Sequence, residues 1–492
     1  MEEQQKNPRI GKLNLGSYGT VVGFLCMEVL AFISFYLGQS FMLYGILSIV
    51  LTILLVLVTF NQIRKEGIAS FAFLLFPILV FGLLTALSKF NYVESPMRLD
   101  TVDNIFVPIT LTFISAAGFF SAYIKEFKIK NALLVIYIAL GAYVLINLFI
   151  TMIYYVPFYT LIYKNSYIFY DGRPSVVPID KMAYMLFGFK ILEVSIEYWS
   201  LFPSLLLTAC IPLFFLSPKK ERRAFIIYAV LTGIAFISLL FTISKYTLLT
   251  DFALMAEIAV IVIAGKFKKS HQILNGMFIA FGALLVISLA IVFLVSQTEW
   301  GWVNGLRSMI SGNAILNRLF IGNRFANGMA SIFDNLFSAE KIFGFPLEYF
   351  TGRTTYHQSN IWLVDVLATS GLFGALFLLF ALVFGVIKMF KYYVNSKDAH
   401  YVKLQIFGYV LGYLVMSLLL LDTTPLINFN MTIFPFYIVA PFLICLFLIC
   451  YCFNKCNIDK EIAKQEEAIE VAEEEISEVE EKEENSDEVI SL

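Results

Sequence analysis

The sequence predicts an all-α membrane protein, a polytopic bundle of about twelve transmembrane helices. Hydrophobic residues make up 59% and charged residues 15% of its 492 positions, whereas soluble domains average about 45–50% and about 25%. Its mean hydropathy is +0.79. Apolar stretches recur from Tyr18 to Tyr451, and each is long enough to cross a bilayer, which takes about 20 residues. We therefore expect one transmembrane domain over 16–453.

The helices are expected where the apolar stretches lie, after a polar segment at 1–15. That segment has no cleavable signal, so it is expected to remain as a cytoplasmic N-terminus. The predicted spans are 16–37, 41–60, 70–87, 105–124, 131–153, 195–216, 224–243, 247–264, 273–296, 361–387, 404–421 and 431–453.

Basic residues occupy every second loop between these spans. They are Arg64, Lys65, Lys125, Lys128, Lys130, Lys219, Lys220, Arg222, Arg223, Lys266, Lys268, Lys269, Lys388, Lys391, Lys397 and Lys403. Because cytoplasmic loops carry an excess of lysine and arginine, these loops are predicted to be cytoplasmic. The alternation persists along the whole chain, which places both termini on the cytoplasmic side.

Two of the remaining, outward-facing loops are much longer than the others, 154–194 and 297–359. Long loops on a rigid scaffold are typical places for function. We expect the second to be partly helical and the active face to lie outside.

The C-terminal segment 454–492 is expected to be an acidic cytoplasmic tail. From Asp459 onward it carries fifteen acids and three lysines, which is too acidic to fold alone, so disorder is the default expectation. A weak heptad that includes Ile462, Ile469 and Ile476 offers an alternative, a helix induced by a basic partner.

The second long loop carries an unusual excess of arginine. Arg307, Arg318 and Arg324 lie in a stretch with no acid between Glu299 and Asp334, and Arg353 follows. The planar guanidinium fork matches phosphate oxygens, so a phosphate-bearing ligand is one interpretation. Anchoring of amphipathic segments to lipid headgroups is the other.

His357 is the only histidine expected outside, because His271 and His400 fall in cytoplasmic loops. Asn360 is placed to cap a helix beginning near Ile361, and Asp365 follows about one turn later. A histidine just above a helix N-terminus is favoured in its neutral form and can accept a proton. A purely structural histidine is the alternative.

Lys245 lies in the tight outer turn Thr242-Ile-Ser-Lys-Tyr-Thr247 of a helical hairpin. A cation at this depth is a candidate for function, and a lysine that extends its ammonium toward the surface is an equal alternative.

Five short motifs follow one another along the chain: Ser244-Lys245, Gly322-Asn-Arg324, Phe343-Gly-Phe-Pro346, His357-x-x-Asn360-x-x-Leu363-x-Asp365 and Gly371-Leu-Phe-Gly374. Their order resembles that of the O-antigen polymerase and ligase superfamily. The resemblance covers roughly 225–390. It departs at Lys245, where the family has an arginine.

The resemblance implies a metal-independent, cofactor-free glycosyltransferase in the bacterial cytoplasmic membrane. Such an enzyme transfers a glycan from an undecaprenyl diphosphate carrier to an acceptor hydroxyl on the outer face, in the assembly of O-antigen, capsule or exopolysaccharide. By resemblance, Lys245 and Arg324 contact the donor diphosphate and His357 activates the acceptor. Arg307, Arg318 and Arg353 are expected to add to the cationic site, with Asn360 and Asp365 in support. By the same resemblance, another polysaccharide-assembly protein is the expected partner of the acidic tail, and no nucleic-acid partner is expected.

Three functions remain open at this stage. A polymerase of lipid-linked repeat units and a ligase that uses another acceptor fit the same motifs. A flippase or other transporter is the alternative from a different class, and its residue support is Glu28 and Glu257, carboxyl groups within apolar spans where they are costly.

Overall fold

The computed structural model describes most of the helical parts of the chain. The described residues are 41–63, 65–124 without 91–100, 127–154, 184–186, 189–191, 196–215, 222–241, isolated positions between 255 and 290, 301–312, 342–343, 362–419 and 440–490. The predicted span 16–37 lies outside them, and the predicted spans 247–264 and 273–296 are described only at isolated helical positions.

The described chain is almost entirely helical, as the apolar stretches predict. The helices are α1 Phe41–Thr59, α2 Lys65–Phe90, α3 Thr101–Ser121, α4 Ile129–Tyr154, α5 Ile196–Phe215, α6 Arg222–Phe241, α7 Gly301–Ser311, α8 Trp362–Asn395, α9 His400–Leu419 and α10 Ala440–Ile490. A 3₁₀ turn at Phe60–Gln62 follows α1. One antiparallel hairpin of β1 Tyr184–Leu186 and β2 Phe189–Ile191, with Tyr184 opposite Ile191, lies within the predicted outer loop 154–194.

Among the described residues, four helical stretches are long and apolar enough to cross a membrane. They are Gly45–Gln62, Gly67–Leu87, Ser370–Asn395 and Pro441–Ile469. Each overlaps a predicted span, and a further set of shorter apolar helices includes Ile105–Ser121, Ile129–Ala142 and Arg223–Ser238. The length and composition of these helices fit a membrane protein, while the count of twelve spans stays a prediction.

The helices pack in two groups. In the first, α3 contacts α1, α2 and α10, and α8 contacts α2 and α10. In the second, α5 contacts α4, α6 and α9, and α9 joins the groups through contacts with α8 and α10. The first half of α10 is the central element, since every side chain from Phe442 to Phe453 is almost wholly buried.

Small residues let these helices approach closely. A Cβ added at Gly82 of α2 would lie 2.8 Å from the Cα of Pro108 in α3, and one added at Gly118 would meet the backbone carbonyl of Phe447 in α10. Close backbone approach at glycine is the usual way in which membrane helices gain packing energy, because the surrounding lipid is as apolar as the helices.

Two of the connections predicted to be cytoplasmic, those that follow α3 and α8, lie beside the same part of α10 at one end of the bundle. The side-chain amide of Asn454 in α10 donates to the carbonyl oxygen of Phe119 in α3 at 2.8 Å. The ring of Tyr451 packs edge-on against Phe127 beyond α3 and against Tyr392 near the end of α8, with centroid distances of 5.7 and 6.3 Å. The alternating topology puts these connections on one side of the membrane, and the side itself stays a prediction.

The acidic tail differs from the expected disorder, because α10 continues without a break from the buried bundle to Ile490. The helix needs no new nucleation step at Asp459, and alanine, glutamate, lysine and glutamine all propagate a helix well. Beyond Asp459 the helix leaves the packed bundle: Cys456 and Asp459 are buried, whereas Ile469 and Val471 are exposed. The helical alternative thus describes the tail in the structure.

Candidate functional site

Arg307 is the one member of the predicted cationic site whose side chain lies among the described residues. It belongs to α7, a short helix with buried Val303 and Ile310, four residues before it and three residues after it. These spacings put all three on one helix face, and the Arg307 side chain is half-buried there. Trp302 and Met309 are 60% and 77% exposed on the other side. The helix is therefore amphipathic, and its arginine lies on the packed face.

This placement bears on both interpretations of Arg307. An arginine on a packed face covers apolar surface with its aliphatic stem and keeps its guanidinium at the edge. That geometry suits a headgroup anchor and also suits a preoriented donor at the rim of a site, so both interpretations stay open.

Helix α8 carries Asp365 in its first turn and contains a kink. The helix begins at Trp362, one residue after the predicted start, and the side chain of Asp365 lies outside the described residues. Gly371 has φ 71° and ψ 178°, a conformation that side-chain-bearing residues rarely adopt. The residues before Gly371 and those after it therefore form two helical segments that meet at a kink.

Gly374, the second glycine of the Gly371-Leu-Phe-Gly374 motif, lies where there is no room for a side chain. A Cβ at Gly374 would overlap the side chain of Ser370 and would lie 3.6 Å from Cβ of Leu84 in α2. The motif thus provides one residue that permits the kink and one that permits close packing just after it.

Two motif segments are in contact at this end of α8. Phe343, from Phe343-Gly-Phe-Pro346 near the end of the long loop, packs edge-on against Phe373 with a centroid distance of 5.7 Å. Both rings remain about half exposed. The loop therefore returns to the bundle beside the kink, close in sequence to the predicted cap and histidine.

The other predicted site residues lie outside the described residues. They are Lys245, Arg318, Arg324, Arg353, His357 and Asn360. Their roles as diphosphate ligands, general base and helix cap stay predictions.

A polar cluster at the opposite end of the bundle was not expected from the sequence. The buried ammonium of Lys403 donates to the carbonyl oxygens of Tyr393, at 3.2 Å, and Ser396. The Tyr392 hydroxyl donates to Asp398 at 2.6 Å, and Lys455 pairs with Asp459 at 2.8 Å. Burial lowers the pKa of Lys403, against the opposing effect of the Asp398 and Asp459 charges. The backbone N–H of Lys397 donates to the Asp459 carboxylate at 3.4 Å, which links the turn between α8 and α9 to α10.

A second buried polar group links α4, α5 and α9. The Tyr137 hydroxyl lies 2.7 Å from Oγ1 of Thr208, and the Gln405 amide donates to the carbonyl oxygen of Ala209 at 3.1 Å. All three side chains are fully buried. Hydrogen bonds of this kind join membrane helices where water is absent, each worth about 1 kcal/mol. A polar residue in each predicted span was the only sequence signal for it.

Within the described part of the chain no group of three histidine, cysteine or carboxylate side chains is arranged to hold a metal ion. Comparison with known proteins adds no relative: no family model matches the sequence, and no curated protein sequence matches it.

Proposed function

We propose that the protein polymerises undecaprenyl-diphosphate-linked oligosaccharide repeat units on the outer face of a bacterial cytoplasmic membrane. The order of motifs from Ser244 to Gly374 motivates this proposal. The observation that supports it best is the contact between Phe343 and Phe373. It joins two of those motifs at the end of α8 that leads to His357.

The proposed reaction requires charge stabilisation and one base. The acceptor hydroxyl oxygen attacks the anomeric carbon of the donor sugar, and the bond from that carbon to the diphosphate oxygen breaks. The diphosphate leaves with the electron pair, and Lys245 and Arg324 stabilise its charge, assisted by Arg307, Arg318 and Arg353. His357 takes the proton of the acceptor hydroxyl as general base.

The proposed topology puts this chemistry outside the cell. Both termini and the basic connections are cytoplasmic, and the loops 154–194 and 297–359 face outward, in a bundle of about twelve spans. The amphipathic α7, with Arg307 on its packed face, then lies along the outer membrane surface. There its cation can approach a lipid-linked diphosphate without leaving the interface.

Loss of the protein from its host distinguishes a polymerase from a ligase. The proposal expects single repeat units to accumulate on the carrier lipid, measured by mass spectrometry of extracted lipids. Long chains accumulating on the carrier would instead identify a ligase, and repeat units trapped on the cytoplasmic leaflet would identify a flippase.

A further inference from the structure

A cavity of about 680 Å³ opens at the end of the bundle where the basic connections meet. Its walls come from the connection between α1 and α2, the connection between α3 and α4, the turn between α8 and α9, and α10. Its volume lies in the range of small-molecule sites, about 300–1,000 Å³. The proposed catalytic face is elsewhere, since Phe373 and Asn395 are separated by about 33 Å of helix at 1.5 Å per residue.

The charged lining of this cavity favours an anion. Lys128, Lys130 and Lys455 line it together with one acid, Asp398. The Asp398 carboxylate accepts a hydrogen bond from the Tyr392 hydroxyl, and Lys455 forms an ion pair with Asp459. Lys128 is exposed and Lys130 is half-buried. Lysine ammonium groups bind phosphate as point charges.

The uncharged lining favours the headgroup of an amphiphile. The side-chain amides of Asn61 and Gln62 can donate to phosphate oxygens, and Ile124, Phe127 and Ile458 supply apolar wall. Phe60, next to Asn61 at the end of a candidate span, is 72% exposed. The cavity therefore lies where a hydrocarbon-facing surface ends, and basic pockets between helices on the cytoplasmic side bind anionic headgroups.

We propose that this cavity is a binding site for a phosphate-bearing anion, supplied by the headgroup of an anionic phospholipid of the inner leaflet. The site is separate from the proposed glycosyltransferase centre. Ile462 and Gln465, in the first turns of the acidic tail, form part of its wall. A ligand bound in the cavity would therefore contact the base of the tail helix.

The first test measures lipid retained by the full-length protein. The purified protein is placed in phosphatidylcholine nanodiscs that contain some phosphatidylglycerol, and the bound phosphatidylglycerol is counted by native mass spectrometry. The double variant Lys128→Gln, Lys130→Gln should bind it about fivefold more weakly for each lysine removed. Lys391→Gln is the matched control, because Lys391 is exposed at the same end of the bundle but does not line the cavity.

A second variant separates cavity binding from general attraction to a charged membrane. Ala399 lines the cavity, so Ala399→Trp should fill part of it while leaving every lysine in place. Loss of bound phosphatidylglycerol in this variant and in the double lysine variant, with retention in the control, supports the proposal. Retention in Ala399→Trp despite loss in the lysine variant would overturn it, because the lysines would then act only as surface charges.

A soluble probe distinguishes the source of the phosphate. Calorimetric titration of glycerophosphate into the protein in pure phosphatidylcholine nanodiscs should show little binding if the ligand is a lipid. A different result is that glycerophosphate binds, that Ala399→Trp abolishes this binding, and that phosphatidylglycerol is not enriched. The cavity would then still be a phosphate site, but its ligand would be a soluble compound. Absence of both kinds of binding overturns the proposal, and none of these measurements depends on glycosyl transfer.

Discussion

Gly371 sets the direction of the segment that carries Asp365. Its φ of 71° and ψ of 178° permit the kink in α8, and a side chain in this nearly glycine-only conformation costs about 1–3 kcal/mol. We expect Gly371→Ala to lower the thermal unfolding midpoint of the purified protein and to reduce transfer.

Gly233 of α6 supplies the matched control for that substitution. A Cβ there meets no atom within 4 Å, and alanine is a better helix former than glycine by about 1 kcal/mol. Gly233→Ala should therefore leave the midpoint unchanged or raise it. Equal midpoints for the two variants would show that the conformation of Gly371 is not required.

Lys245 and Arg324 are predicted to hold the donor diphosphate. Alanine at either position should reduce transfer about a hundredfold, as expected when one preorganised charge-stabilising group is removed. The measurement is the rate of transfer from a lipid-linked donor together with donor affinity. A variant with normal rate and affinity would remove that residue from the site.

At the scale of elements, apolar segments predicted the helices well because each span must bury its own backbone hydrogen bonds in lipid. The kink at Gly371 could not be predicted from the sequence, because a glycine in an apolar run indicates either close packing or a changed backbone direction. The cavity near Lys128 was not predictable, because it depends on which connections become neighbours in space. The arginine-rich stretch predicted α7 only as part of a partly helical loop.

The structure shows the tail as a helix, which was the alternative to the default expectation of disorder. Its composition predicts disorder when taken alone, but the tail is attached to the end of a buried helix that has already nucleated. Composition reports on an isolated segment, and the preceding element changes its starting condition.

The tail helix should be dispensable for glycosyl transfer, because the proposed topology places it across the membrane from the reaction. Deletion of 460–492 should leave the in vitro rate intact. The deletion begins after Asp459, which keeps the ion pair with Lys455. Abolished transfer in a variant that elutes and unfolds like the full chain would assign the tail a catalytic role.

At the scale of the whole molecule, the alternating topology predicts the side of each connection. Reporter fusions after Lys269 and after Phe333 should report the cytoplasm and the exterior, respectively. The two positions are separated by one predicted span, 273–296, which is described only at isolated helical positions. Both reporters on the same side would refute the helix count and the proposed outer face together.

The most direct test of the proposed function is repeat-unit polymerisation by the purified protein in proteoliposomes. The wild-type chain should extend an undecaprenyl-diphosphate-linked repeat unit into a ladder of products. His357→Ala should bind the donor normally but elongate it about 10²–10⁴-fold more slowly, because the cations hold the diphosphate and the base is lost. His271→Ala is the control, because His271 is predicted to be cytoplasmic, and it should retain the ladder. Normal elongation by His357→Ala, or no elongation by the wild type with any lipid-linked glycan of its host, would contradict the account.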